Sequence, residues 1–243
     1  MATWMEIISA RQRLSALSPY SAALKAYKQK SDLVDAALLD LRMNGSRLTR
    51  EGVTRIAGGE MLGGVPVREH RLIGLHRDLS AAYDRALGMQ MSIDARLLGE
   101  FARILADNRE KPPVRTGVKM LYHLDIVTVD ASQAGTQLAE FLKAAERADY
   151  GGDVCLKAAV IHCGIIRIYP YEEPYSEMSA RAAMQFELIR GGLFPTDPDL
   201  SESRYNKLTS EAIRKKDPSA FAEALRVGVL AKLNHLIMLA ESM

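Results

Sequence analysis

Three phenols, three carboxylates and a serine hydroxyl fall within nine consecutive positions, Tyr169-Pro-Tyr-Glu-Glu-Pro-Tyr-Ser-Glu177. Glu172, Glu173 and Glu177 offer the oxygen ligands that a divalent cation takes, or they form a solvated acidic rim. Tyr169, Tyr171 and Tyr175 could line a pocket that stacks on a ligand; three half-buried loop rings covering a core are the more common arrangement. As a general base Tyr169 is poor, because a phenol titrates near about 10 and stays protonated at neutral pH. His162, seven residues earlier, sits on an apolar helix face, where a hydrogen-bonded core histidine is commoner than a catalytic one. His70 and His76 are six apart, not at the i, i+4 spacing of a helical metal pair, and read as surface groups.

These residues depend on a mostly helical frame. Trp4, Ile7, Ile8, Leu14 and Leu17 share one helix face, and Leu33, Val34, Ala37, Leu38 and Leu41 share another. Asn44-Gly45 breaks the second helix, and Thr49 is positioned as an N-cap of the next. The glycines around Gly63-Gly64 precede a long helix from Val67 to Leu87, and another helix spans Asp94 to Ala106. Residues Val114 to Val129 form the one segment with strand character and predict a β-hairpin. Helices follow near Gln133 to Asp149, Asp153 to Ile168, Ser176 to Arg190, Ser201 to Lys215 and Pro218 to Ser242. The nine-residue run therefore lies between two helices. The basic run Arg214-Lys215-Lys216 falls at a helix end, where it suits the dipole.

With 243 residues, 48% of them hydrophobic, the chain can build a proper core. Its 32 basic and 30 acidic residues create no global field towards nucleic acid or membrane. Cys155 and Cys163 lie eight apart on one predicted helix, too far to bond each other and without metal-ligand spacing. No uninterrupted apolar run opens the chain, so neither a signal peptide nor an anchor is expected and a cytoplasmic location is the default.

The helix–loop–helix resembles the heart of the Fic family, whose loop reads His-Pro-Phe-x-Asp/Glu-Gly-Asn-Gly-Arg-x-x-Arg. Other landmarks follow in order. Asn44-Gly-Ser-Arg-Leu-Thr49 resembles the family's Glu-Gly-Asn-x-Leu-Thr segment, and Gly64-Val-Pro-Val-Arg-Glu-His70 the opening of its long helix. His162 fits an Ala-x-x-His pattern, and Arg204-Tyr205-Asn-Lys-Leu208 with Asp217 resembles landmarks of the C-terminal helices. The resemblance implies an all-α, Fic-like helical fold with a small β-hairpin flap. It further implies an N-terminal helical region over residues 1–90 with the inhibitory-helix segment, and a Fic-like core with flap and C-terminal helices over 91–243.

Position by position, the resemblance places Tyr169 where the family has its catalytic His and Glu173 where it has the magnesium-binding acid. Pro174-Tyr175-Ser176 replaces Gly-Asn-Gly. Pro174 has no N–H, and Tyr175 and Ser176 resist the dihedrals that a phosphate nest asks of glycine. Glu177 replaces the first Arg and sets a negative charge where phosphate would sit. The second Arg position is Ala180, with Arg181 one place on and about 100° around the helix; a one-residue shift makes Arg181 the one salvageable phosphate ligand. Asn44 stands where the inhibitory Glu would pair with that second Arg, so both ends of the pair are missing together.

The expected function is a pseudoenzyme without ordinary AMP transfer, needing no cofactor and acting by binding a protein partner. Its ligand-facing residues are expected to be Tyr171, Glu172, Tyr175, Ser176, Glu177, Arg181 and His162. The alternative is a transferase of altered chemistry, using Glu173 with Mg and Arg181 to move a phosphate-containing moiety from a nucleotide-type donor to a Ser, Thr or Tyr hydroxyl of a target. Nucleotide binding is not expected under the first reading. An oligomer is compatible with both.

Overall fold

Side-chain caps start most of the helices. In a computed structural model that describes residues 2–107 and 109–242, helix α1 (Trp4–Ala16) opens on a reciprocal capping box between Thr3 and Glu6. Ser21 caps α2 (Ala22–Met43), Thr49 caps α3 (Arg50–Ala57) as predicted, and Asp94 caps α5 (Ala95–Leu105). Pro66 stands immediately before α4 (Val67–Gly88). Asp130, Asp153 and Ser201 do the same work for α6 (Ala131–Arg147), α7 (Val154–Ile168) and α9 (Glu202–Lys215). Helix α8 (Tyr175–Arg190) starts at Pro174 without a side-chain cap, and α10 (Ser219–Ser242) closes the described chain. Among the described residues, no helix is long and apolar enough to cross a membrane.

The expected hairpin is present but short. Strands β1 (Met120–Leu121) and β2 (Ile126–Val127) pair antiparallel, Met120 opposite Val127 and Leu121 opposite Ile126. Val114 does not join them; it forms a bridge to Tyr171 and so lays the flap's entry strand against the loop of the nine-residue run.

Helices α7 and α8 pack along each other at the centre, and α8 is buried on nearly every side, from Ser176 to Leu188. On one side α5 and α6 close a core around Phe101, Leu98, Leu138, Ile165 and Phe186; on the other, α1 lies on α10 and both cover Cys155, Met184, Phe221 and Leu233. A third cluster joins α2, α3 and α4 through Val34, Leu41, Val53 and Ile73. Cys155 and Cys163 are free and buried, and burial pushes both thiols up to about 12. That agrees with their expected role as inert core residues.

Close approach of α6 to α7 requires glycine at 164, because a Cβ there would overlap the Phe141 ring. Gly→Ala inside a helix is ordinarily worth about 1 kcal/mol of stability, whereas overpacking costs about 1–3 kcal/mol. Gly164→Ala is therefore expected to lower stability in urea unfolding. In a Phe141→Ala background the same change should turn into a gain; an unchanged sign would show that the ring is not the obstacle.

Candidate functional site

Helix α7 ends at Tyr169, whose backbone turns left-handed with φ of 54° while its N–H bonds to the carbonyl of Ile165 at 2.7 Å. Such a conformation costs a non-glycine residue roughly 1–2 kcal/mol, so other contacts must hold it. Arg115, buried, supplies them by donating from Nε to the Tyr169 carbonyl and from Nη2 to those of Val129 and, at 3.1 Å, Ile168; its Nη1 takes the Gly117 carbonyl. One guanidinium thus ties the last carbonyls of α7 to both ends of the flap. Nothing in the local sequence around Arg115 signals this role, since its acceptors are backbone groups far along the chain.

Beyond Tyr169 the loop closes on itself. The N–H of Tyr171 donates to Ser176 Oγ at 2.7 Å, and that hydroxyl donates to the Tyr171 carbonyl at 2.8 Å. Glu172 N–H reaches the Pro113 carbonyl at 2.7 Å. Gly99 on α5 leaves room for the buried Tyr171 ring, whose hydroxyl lies 3.6 Å from where a Cβ would sit. At the start of α8 the N–H groups of Tyr175 and Ser176 bond to the Glu172 carbonyl at 2.8 and 3.3 Å, and those of Glu177 and Met178 to the Pro174 carbonyl at 3.1 and 3.0 Å. The Met178 bond is the first i→i−4 bond of the helix, whereas the donors of the first turn, Tyr175, Ser176 and Glu177, are normally free for an anion. Here they are consumed.

Glu177 lies at the centre of the polar contacts under the flap. Its Oε1 accepts from the Tyr169 hydroxyl at 3.2 Å and sits 3.0 Å from Nε2 of His123, a residue of the β1–β2 turn. Burial, followed by the charges of Glu177 and Glu173, pushes the Tyr169 phenol well above its ordinary range. The hydrogen bond to Glu177 raises His123; in return, although burial opposes the charge, His123 and Arg181 hold the Glu177 carboxyl low. Glu173 is exposed, with Lys119 of the flap 3.3 Å away, and Glu172 is exposed as well.

Arg181 points away from the loop into a buried polar chain. Its Nε bonds to Asp40 Oδ1 on α2, and Asp40 Oδ2 lies 2.9 Å from His76 Nε2 on α4. All three are at most 5% exposed. Burial works against the Asp40 charge, yet Arg181 and His76 hold its carboxyl below the ordinary range, and Asp40 in turn raises Arg181. His162 is sealed in the core, its Nε2 3.0 Å from the Tyr205 hydroxyl and its ring stacked on Phe221 at 4.9 Å; burial and then Arg181 pull it down to about 3. Asn44, at the end of α2, turns its amide back to the Asp40 carbonyl at 2.7 Å. It lines a cleft of about 360 Å³ together with Arg68, Arg71, Pro174, Tyr175 and Met178.

Neither a family model nor a curated protein matches this sequence. Solved structures do. A Fic domain containing signaling protein from Bacteroides thetaiotaomicron superposes with a TM-score of 0.81 at 16% identity, covering 98% of each chain. Fic-1 from C. elegans gives 0.70 at 16% identity over 98% of this chain and 72% of its own, and a Fic family protein from Desulfovibrio desulfuricans gives 0.62 at 17% identity over 100% and 76%. The chain has the Fic fold.

On the Fic fold, several expected site residues take other places. His162 faces Tyr205 and Phe221 and has no open side for a ligand. The aromatic pocket does not form: Tyr169 and Tyr171 are buried, and of the three rings Tyr175 alone lines the cleft, with Arg109 over it at 5.7 Å. Arg181 is not left without an acidic partner, because Asp40, one helical turn before Asn44, supplies the carboxylate. His76 is not a surface group; it shares the buried face of α4 with Ile73, Leu79 and Tyr83. The resemblance implies magnesium at the Glu173 position. Glu173 is exposed and faces Lys119 at 3.3 Å.

Removing one member of a buried ion pair leaves an uncompensated charge and typically costs about 3–5 kcal/mol. Asp40→Ala is expected to lose stability on that scale in urea unfolding, and adding Arg181→Met should restore a large part of it. A single-mutant loss below about 1 kcal/mol would remove the pair from its structural role.

The His123–Glu177 contact has a definite pH sign. A raised folded-state imidazole contributes stability in full below the ordinary value of about 6.5, and that contribution is lost as pH rises through the folded value. The His123 ring, followed by NMR, should titrate above the ordinary value in the wild type and fall towards it in Glu177→Gln. Identical titrations would show the contact absent in solution.

Proposed function

We propose that the protein is a Fic-fold binding scaffold that has given up AMP transfer and grips an extended segment of a protein partner along its flap. The observation that carries this reading is that the donors the motif loop would offer an anion are engaged inside the chain. The three first-turn N–H groups of α8, Tyr175 to Glu177, bond to the carbonyls of Glu172 and Pro174, Arg181 is taken by Asp40, and Glu177 adds a carboxylate where a phosphate would need a cation. Tyr169, protonated and buried at the position of the family's base, cannot take a proton from a target hydroxyl at neutral pH.

What stays open is the flap. Thr128 N–H bonds to the Lys119 carbonyl, so by strand alternation the N–H and C=O of Val118 and Met120 point away from β2. Val118, Met120, Tyr122 and Val127 are exposed apolar side chains on this hairpin, while Leu121 and Ile126 face the core. A free strand edge with alternating apolar side chains suits addition of a partner strand, main chain supplying affinity and side chains specificity.

Two measurements test this. Incubated with radiolabelled ATP, magnesium and cell extract, the wild type should label no target; a labelled target would overturn the scaffold reading in favour of altered transfer chemistry. A photocrosslinker at position 118 should capture a discrete partner. Met120→Pro, which removes an outward N–H and leaves the β1–β2 bonds in place, should reduce that capture at least tenfold; an undiminished yield would exclude strand addition.

A further inference from the structure

The free edge of β1 separates two faces of the flap that differ in charge. Val118 and Met120 point outward with Val127, which stands opposite Met120, and all three are exposed. Lys119 lies between the first two and so points to the other face, where its Nζ meets Glu173 at 3.3 Å. The Glu173 side chain remains 58% exposed, so this contact leaves room for a second cation. Glu172 beside it is exposed, and the bond from its N–H to the Pro113 carbonyl fixes its backbone against the flap's entry strand. Its carboxylate has no partner among the described residues. Glu177, the third acid of the loop, is already met by His123 at 3.0 Å and by the Tyr169 hydroxyl at 3.2 Å. Arg115 spends its guanidinium on backbone carbonyls, and Glu110 with Lys111 before the entry strand adds no net charge. Glu172 and Glu173 therefore share one ammonium, and one negative charge is left over on the loop-facing side of the edge.

We propose that the segment received by this edge carries a lysine or arginine where its side chain faces the loop, flanked by apolar residues that share the outward face with Val118 and Met120. Side chains alternate along an added strand as they do along β1, and a residue beside Lys119 on the same face has its Cβ about 5 Å away. Lys119 opposes a second cation, but it is bound to Glu173, and Glu172 is the group left to receive the newcomer. A glutamate at that place would meet two carboxylates instead. This preference presupposes the strand addition proposed above and names the partner that suits it.

Selection of a phage-displayed library of random peptides against the full chain tests it, with Met120→Pro as counter-selection so that the sequences kept are those that need the outward N–H. These should carry Lys or Arg at one position between two apolar ones. A synthetic peptide from the selection should lose about threefold in affinity when that residue becomes Ala, the scale of an exposed ion pair, and more when it becomes Glu. Glu172→Lys, which disturbs no side-chain contact, should reverse the order and take the Glu peptide better than the original. Peptides that depend on Met120 yet show no basic preference, or a preference that Glu172→Lys leaves unchanged, would overturn the basic residue and leave strand addition standing. A selection with no Met120-dependent sequence would overturn both.

Discussion

A carboxylate 1% exposed to solvent, Asp40, sets the relation between three helices. Taking such a charge out of water costs several kcal/mol, and the fold keeps it only because Arg181 on α8 and His76 on α4 meet its two oxygens. The geometry leaves little freedom: α2, α4 and α8 must stand at the separation and rotation that bring those groups together. The same contact removes Arg181 from the solvent-facing loop. A guanidinium committed to a buried carboxylate is not available to a mobile anion.

The loop above it follows the same logic through backbone groups. A helix N-terminus is an anion site when its donors are free, and Pro174 at the head of α8 directs the chain so that the Glu172 and Pro174 carbonyls reach those donors first. Arg115 performs the converse task at the end of α7, covering carbonyls that would otherwise lack partners. Donors and acceptors at this junction are thus both satisfied within the chain. Tyr169 completes the seal, its ring filling the core and its hydroxyl neutralising part of the demand of Glu177.

Much of this frame was legible in the sequence because helices announce themselves through period and caps. Thr49, Asp94, Asp153 and Ser201 mark helix starts, and the apolar stripe of 33–41 marks the buried face of α2. Asp40 interrupts that stripe and could have been flagged as a charge in need of a partner. The partner lies 141 residues away on α8, and no local pattern reports such a pairing. His76 was misread because Arg77 and Asp78 beside it are polar, although its spacing from Ile73, Leu79 and Tyr83 places it on the buried face. The hairpin was overextended for a different reason: apolar alternation from Val114 onward is satisfied partly by pairing with Tyr171 rather than with the opposite strand.

The contrast between a closed loop and an open flap edge bears on what the fold is kept for. Exposed strand edges invite unwanted pairing, and proteins blunt them by keeping them short or charged. This edge is short, and Lys119 and His123 flank it, yet both are turned towards Glu173 and Glu177 rather than outward. Those two contacts tie the flap to the loop and orient the edge that carries its apolar side chains. A hairpin fixed in this way carries less ordering cost on meeting a partner strand than a mobile one would. On the proposed reading, the acidic side chains that replaced a phosphate site thus serve a second purpose, as the anchor that preorganises the surface by which the scaffold binds.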